Sequence, residues 1–109
     1  MSPNTAVIRS LNDQLRRNFS SGAAFMTPGV AALGAEAAER IFKTIATYDD
    51  FCHANDPWSE HDLGMFEAEG EKVMFKIEYF SKDMTMGSPN PADPTVTTRV
   101  ITIMLASEV

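Results

Sequence analysis

Only one cysteine, Cys52, occurs among the 109 residues. No disulfide can form within the chain, which fits a reducing cytoplasm. No run of about 18 apolar residues is present, which excludes a transmembrane helix. The opening residues, MSPNTAVIRS, have no basic start followed by an apolar stretch, so no signal peptide is expected. The G-x-G-x-x-G, Walker-loop and G-x-S-x-G patterns are missing, and no cofactor is expected. Basic residues are scarce too: 9 Lys and Arg stand against 15 Asp and Glu, a formal net charge of −6. Such a surface repels free nucleic acid, whereas a simple DNA-binding domain carries a basic footprint.

What is present is ordinary globular material, 44% apolar and 22% charged, in a length suited to one domain (1–109) with one modest core. The charge is unevenly spread. Met1 to Tyr48 holds five basic and three acidic residues, whereas Asp49 to Val109 holds four basic and twelve acidic ones. An acidic half attracts basic surfaces, although acidity also serves plain solubility.

Periodicity predicts a first helix from about Thr5 to Phe19, with Ile8, Leu11, Leu15 and Phe19 on its buried face and Arg9, Asp13, Arg16 and Arg17 on the other. Asp13 is placed one turn from both Arg9 and Arg17. Ala23 to Met26 reads as a short strand closing in the Thr27-Pro28-Gly29 turn. A second helix, about Gly34 to Tyr48, buries Ala38, Ile41, Phe42, Ile45 and Tyr48 and pairs Glu36 with Arg40 and Glu39 with Lys43 on its outer face. Leu63 to Ala68 and Lys72 to Phe80 read as a hairpin around Glu69-Gly70-Glu71. Three prolines within six residues, in MTMGSPNPADP, exclude helix and central strand there. Val96 to Ala106 alternates with apolar residues on both faces, the mark of a central strand. The expected fold is α+β in the order αβαβββ, a mainly antiparallel sheet with two helices packed on one face.

The segment Asp49 to Gly64, DDFCHANDPWSEHDLG, follows neither helical nor strand period and is too long for a casual connection. It holds the candidate chemistry. His53, Glu60, His61 and Asp62 could ligate a metal in a hydrolase, but zinc-type spacing is absent and no metal site is expected. The competing reading is structural: Asn55 and Asp56 before Pro57 turn the chain by bonding backbone amides, and His61 and Asp62 anchor the loop. Cys52 beside His53 makes no nucleophilic dyad by adjacency alone. Trp58 in so polar a loop is a packing pin or an interface anchor. Met84 and Met86 pose the same question in the proline-rich segment. Arg99, in a strand that otherwise reads as buried, needs a partner, with Asp62 and Glu60 the first choices.

The segments LNDQLRRNF, TPGVAAL, YDDF, NDPWSEHDLGMFE, KIEYF, GSPNPADP and TTRVITIML together resemble a family of short bacterial proteins known only as a domain of unknown function. That resemblance implies an accessory role for plasmids, phages and integrated elements, and carries over no catalytic residue. Small acidic proteins in that setting act as anti-restriction or anti-CRISPR inhibitors. The expectation is therefore a non-enzymatic cytoplasmic binding protein, without membrane or direct nucleic-acid contact. Its partner would be a basic, nucleic-acid-binding protein surface, met through Asp49, Asp50, Asp56, Trp58, Glu60, Glu67, Glu69, Glu71 and Glu78. A metal-dependent hydrolase and an accessory protein of plasmid transfer are the alternatives.

Overall fold

The computed structural model describes residues 3–52 and 56–108. Helix α1 (Pro3–Asn18) starts on a proline, which suits the first turn because its missing N–H would have no intrahelical partner. The chain leaves this helix through Phe19, whose φ of 59° is left-handed. Strand β1 (Ala23–Met26) follows, then a single helical turn, α2 (Pro28–Ala31), where the sequence predicts only a turn. Glu108 ties that turn down. Its carboxylate accepts bonds from Thr27 Oγ1, Gly29 N and Leu105 N. Helix α3 (Ala35–Thr47) then crosses the sheet.

The hairpin is formed by β2 (Leu63–Ala68) and β3 (Glu71–Phe80), paired antiparallel in the register Ala68 opposite Glu71. Its two turn residues, Glu69 and Gly70, both have positive φ, 55° and 77°, which a tight two-residue turn demands. Strand β4 (Thr98–Leu105) pairs antiparallel with β3 and parallel with β1, giving the sheet order β1-β4-β3-β2. The α+β class stands. The parallel β1–β4 pair and the extra helical turn modify the expected antiparallel αβαβββ order, because β1, at the edge of the sheet, meets its partner β4 only after the whole intervening chain.

The register explains the core. Val73, Phe75 and Ile77 of β3 lie on one face, opposite Leu105, Ile103 and Ile101 of β4. Leu15 of α1, Val30 of α2 and Ile41 and Ile45 of α3 pack on these residues, most of them without any solvent exposure. The other face alternates Lys76 and Glu78, both exposed, with half-buried Met74 and Phe80. No helix among the described residues is long and apolar enough to cross a membrane.

Helix α1 buries more than its apolar stripe. Asn12 is fully buried and Arg16 is nearly so, which corrects the placing of Arg16 on the solvent side. Its Nη1 donates to the carbonyls of Ile45 (2.7 Å) and Tyr48 (2.9 Å) at the end of α3. The last carbonyls of a helix lack intrahelical donors and carry partial negative charge, and α3 has no basic residue of its own in its last turn. Arg16 supplies that cation from a neighbouring helix. Its Nη2 bonds Asp13 at 2.7 Å, so Asp13 pairs with Arg16 rather than with Arg9 or Arg17. On α3, Glu39 and Lys43 pair at 3.5 Å as expected, but Arg40 turns from Glu36 to Glu69 on the hairpin, at 2.6 Å.

Gly64 is where the sheet and the end of α3 meet most closely. A Cβ there would lie 2.4 Å from Phe75 Cε1 and 2.7 Å from Tyr48 Cε1. The two rings meet edge to face at 5.5 Å between centroids. Gly64→Ala must separate them, and we expect a loss of about 1–3 kcal/mol in a urea denaturation series, the usual cost of overpacking a core.

Candidate functional site

The loop joining α3 to β2 is ordered by one carboxylate. Asp56 Oδ1 accepts the amides of Glu60 (2.9 Å) and His61 (3.2 Å), and its own amide donates to Cys52 O at 2.7 Å. A carboxylate next to a proline is suited to this, since it replaces backbone partners the turn cannot provide. Ser59 and His61 both sit at positive φ, 58° and 57°, a strained conformation for residues with a Cβ. The Asp56 bonds hold that strain in place. Asp56 is 5% exposed, so it is removed from the expected binding surface: its oxygens are spent inside the loop.

Three residues of α1 fasten the loop: Asp13 and Arg9 on the outside, and Asn12 beneath it. The imidazole of His61 stacks flat on Phe51, 3.9 Å between centroids and 4° from parallel, and its Nδ1 lies 2.9 Å from Asp13 Oδ1. Arg9 Nη1 donates to Ser59 O at 3.0 Å. Burial works against the charge on Asp13, but hydrogen bonds from Arg16 and His61 hold its pKa below the ordinary 3.8. Trp58, next to Ser59, is 74% exposed, more than any other large apolar side chain described. A pocket of about 280 Å³ lies between the loop and α1, lined by Arg9, Phe51, Cys52, Asp56, Ser59 and His61.

Beneath the loop lies a second polar network, centred on Asn12. The Asn12 amide Nδ2 donates to Tyr79 Oη at 2.7 Å and to Glu60 O at 3.0 Å, while its Oδ1 accepts Arg99 Nε at 2.9 Å. Tyr79 Oη donates in turn to Glu60 Oε1 at 2.9 Å. Burial, together with that carboxylate, pushes the Tyr79 hydroxyl well above its ordinary pKa. The guanidinium of Arg99 also donates to Pro91 O and sits 5.2 Å from the centre of the Tyr79 ring. The expected ion pair of Arg99 with Asp62 or Glu60 does not form. Asn12 stands between Arg99 and the loop, and Glu60 is taken by Tyr79. Asp62 instead accepts no side-chain hydrogen bond among the described residues. Its burial, with Glu60 and Asp56 nearby, raises its pKa above the ordinary 3.8.

The remaining expected residues scatter. Asp49, Asp50, Glu67 and Glu71 are exposed. Glu69 is held by Arg40 through two bonds, 2.6 and 3.1 Å, Glu67 lies opposite Lys72, and Glu78 pairs with Lys76 at 3.5 Å. The acidic half is thus interrupted by cations. Glu60 and His61 are engaged by Tyr79 and Asp13, and His53 and Asn55 lie outside the described residues. Among the described residues no three of His, Cys, Asp and Glu converge on a metal position. The residues that build the network and went unread in the sequence are Asn12, Asp13, Arg16 and Tyr79. Asn12 carried a usable signal: it lies one turn beyond Ile8, on the buried side of α1.

The chain belongs to the family described as protein of unknown function (DUF3768), whose model matches residues 26–108. No curated protein and no solved structure matches it.

Asn12→Ala strips Arg99 Nε, Tyr79 and the Glu60 carbonyl of their shared partner. We expect a loss of about 2–4 kcal/mol in chemical denaturation, since each buried group left unsatisfied costs about 1–3 kcal/mol, against about 0.5 kcal/mol or less for Arg17→Ala on the exposed side. Asp62 gives a prediction of opposite sign. Because its folded pKa is raised, charging it costs stability as pH rises through the ordinary 3.8 and beyond. Asp62→Asn should therefore raise Tm at pH 7 and leave it unchanged at pH 3. A lower Tm at pH 7 would show that the ionised carboxylate is stabilising.

Proposed function

Starting from membership of this family, we propose that the protein is a non-enzymatic binding module that inhibits a nucleic-acid-handling complex of its host on behalf of a mobile genetic element. The partner surface is basic, of the kind a restriction or CRISPR complex presents to its nucleic acid. The observation that carries this reading is Trp58, 74% exposed on a loop whose backbone is held from within by Asp56 and from α1 by Arg9 and Asp13. An aromatic side chain presented on a pre-ordered loop loses little entropy on docking, and tryptophan is the residue most enriched among interface anchors.

Charge sets the approach and the class of partner. Asp49 and Asp50 leave α3 just before the loop, and Glu67 and Glu71 flank the hairpin turn; all four are exposed. A net charge of −6 steers the protein toward basic surfaces, and that steering falls off over a Debye length of about 8 Å at physiological ionic strength. The pairing of Glu69 and Glu78 with Arg40 and Lys76 removes two members from the set expected to act. Charge then governs the rate of encounter, and Trp58 governs the lifetime of the complex.

The test has two arms. Purified protein is mixed with subunits of restriction and CRISPR complexes and binding is measured, and cells expressing it are challenged in a phage-plating or plasmid-transformation assay. We expect binding and protection by the wild type. Trp58→Ala should weaken affinity about 30-fold, equivalent to about 2 kcal/mol, with folding stability changed by no more than about 0.5 kcal/mol. Association should slow as salt is added. Neither binding nor protection in any such system would end this reading. A Trp58→Ala protein that binds as well as the wild type would remove its anchor.

A further inference from the structure

We propose that the protein binds a small oxyanion in a pocket built around Arg99, at the end of β4 away from the acidic hairpin turn. Arg99 is 4% exposed, yet no carboxylate pairs with it. The groups in direct contact with its guanidinium are neutral: the Asn12 carboxamide, the Pro91 carbonyl and the face of the Tyr79 ring. A buried cation without a counter-ion is costly, and burial lowers the Arg99 pKa accordingly. Of the 15 acidic residues none forms an ion pair with it; Glu60, bonded to the Tyr79 hydroxyl, acts on it only at longer range.

The space beside Arg99 completes the argument. A pocket of about 230 Å³ is lined by Arg99 and Lys82 together with Gln14, Ser21 and Thr97, and no acidic residue contributes to its wall. Lys82 forms no ion pair among the described residues. Its neighbour Asp83 accepts from Ser81 Oγ at 2.6 Å and from Thr85 Oγ1 at 2.8 Å, bonds that keep it ionised, but it makes no ion pair with the lysine and does not line the recess. Two of the nine cations of an acidic protein thus share one recess with Gln14 and Ser21, two neutral side chains that can donate hydrogen bonds, while the Thr97 hydroxyl is spent on Asn90. A guanidinium offers a planar fork matched to the oxygens of a phosphate or carboxylate, and an ammonium adds a point charge. The volume falls below the range of about 300–1,000 Å³ usual for drug-sized ligands, which favours a small anion or an anionic group of a small molecule.

The frame around the pocket is firm. Thr97 Oγ1 donates to Asn90 O at 2.9 Å and shares a bond with Ser88 Oγ at 2.7 Å, while Asp93 Oδ1 accepts from Thr95 N and Oγ1 at 2.9 and 2.7 Å. On the other side Gly22 passes so close that a Cβ there would lie 2.5 Å from Arg99 O. The proline-rich segment is therefore folded against the start of β4 and holds one wall of the recess in place.

The experiment titrates the full-length protein with inorganic phosphate and with acetate, each against sodium chloride at matched ionic strength, following Tm and the Arg99 Nε–H resonance. We expect a saturable rise in Tm with at least one of the two anions and a shift of the Arg99 resonance with the same midpoint. Stronger saturation by phosphate identifies a phosphate ligand, and by acetate a carboxylate. Lys82→Glu, at an exposed position, should keep the fold and weaken the apparent affinity at least about tenfold, as loss of one charge-assisted bond implies. Responses to both anions no greater than to sodium chloride overturn the proposal. So does an affinity unchanged in Lys82→Glu. Trp58→Ala serves as the control that should leave anion binding intact.

Discussion

The side chain of Asn12 is the joint on which this molecule turns. One buried carboxamide offers two donors and one acceptor, and here all are used on three different parts of the chain: Tyr79 of β3, Arg99 of β4 and the Glu60 carbonyl of the loop. A carboxamide suits this position because it both donates and accepts, whereas a carboxylate could not donate and an aliphatic side chain would leave a tyrosine hydroxyl and a guanidinium unpaired in the interior. Helix α1 is thereby locked in rotation and height over the sheet. The apolar contacts of Leu15 and Ile8 supply attraction but no such direction.

A second consequence follows from that locked orientation. With α1 held in place, Arg16 reaches the exposed carbonyls at the end of α3, and Asp13 reaches both Arg16 and His61. The helix end, the loop and the ring stack of Phe51 on His61 are consequently one structure. Trp58 inherits its fixed position from it. The exposed residue that carries the functional proposal stands beside residues 56–61, which are held by the buried Asp56 and by the partly buried Arg9 and Asp13.

Those parts of the fold governed by local periodicity were legible in the sequence. Val73, Phe75, Ile77 and Tyr79 alternate, Glu69-Gly70 marks the turn, and both faces of β4 are apolar because it lies inside the sheet; the hairpin and the central strand follow from these facts. Ala23 to Met26 was readable as a strand, but its parallel pairing with β4 was not, since four residues carry no record of a partner that lies beyond both helices and the hairpin. The interior polar groups were the least legible. Arg16 reads as a surface residue because arginine is rarely buried, and only the unpaired carbonyls at the far end of α3 give it a reason to be inside. Arg99 was recognised as needing a partner, but charge arithmetic nominates carboxylates and has no means of nominating an asparagine from another helix. Asp56 shows the same limit in reverse: counted as one of twelve acidic surface charges, it is consumed in holding two amides of its own loop.

This redistribution changes what the net charge of −6 means. Part of the acidity is structural, in Asp13 and Asp56. Part is paired on the surface, in Glu69 and Glu78. The exposed remainder, Asp49, Asp50, Glu67 and Glu71, is free to steer an encounter with a basic surface. The basic side divides in the same way. Arg16 serves a helix end, Arg40 and Lys76 serve carboxylates, and Arg99 with Lys82 is left facing a recess without acidic groups. The protein uses carboxylates freely to satisfy its own amides and cations yet pairs none directly with Arg99, and it is this asymmetry on which the proposed anion site rests.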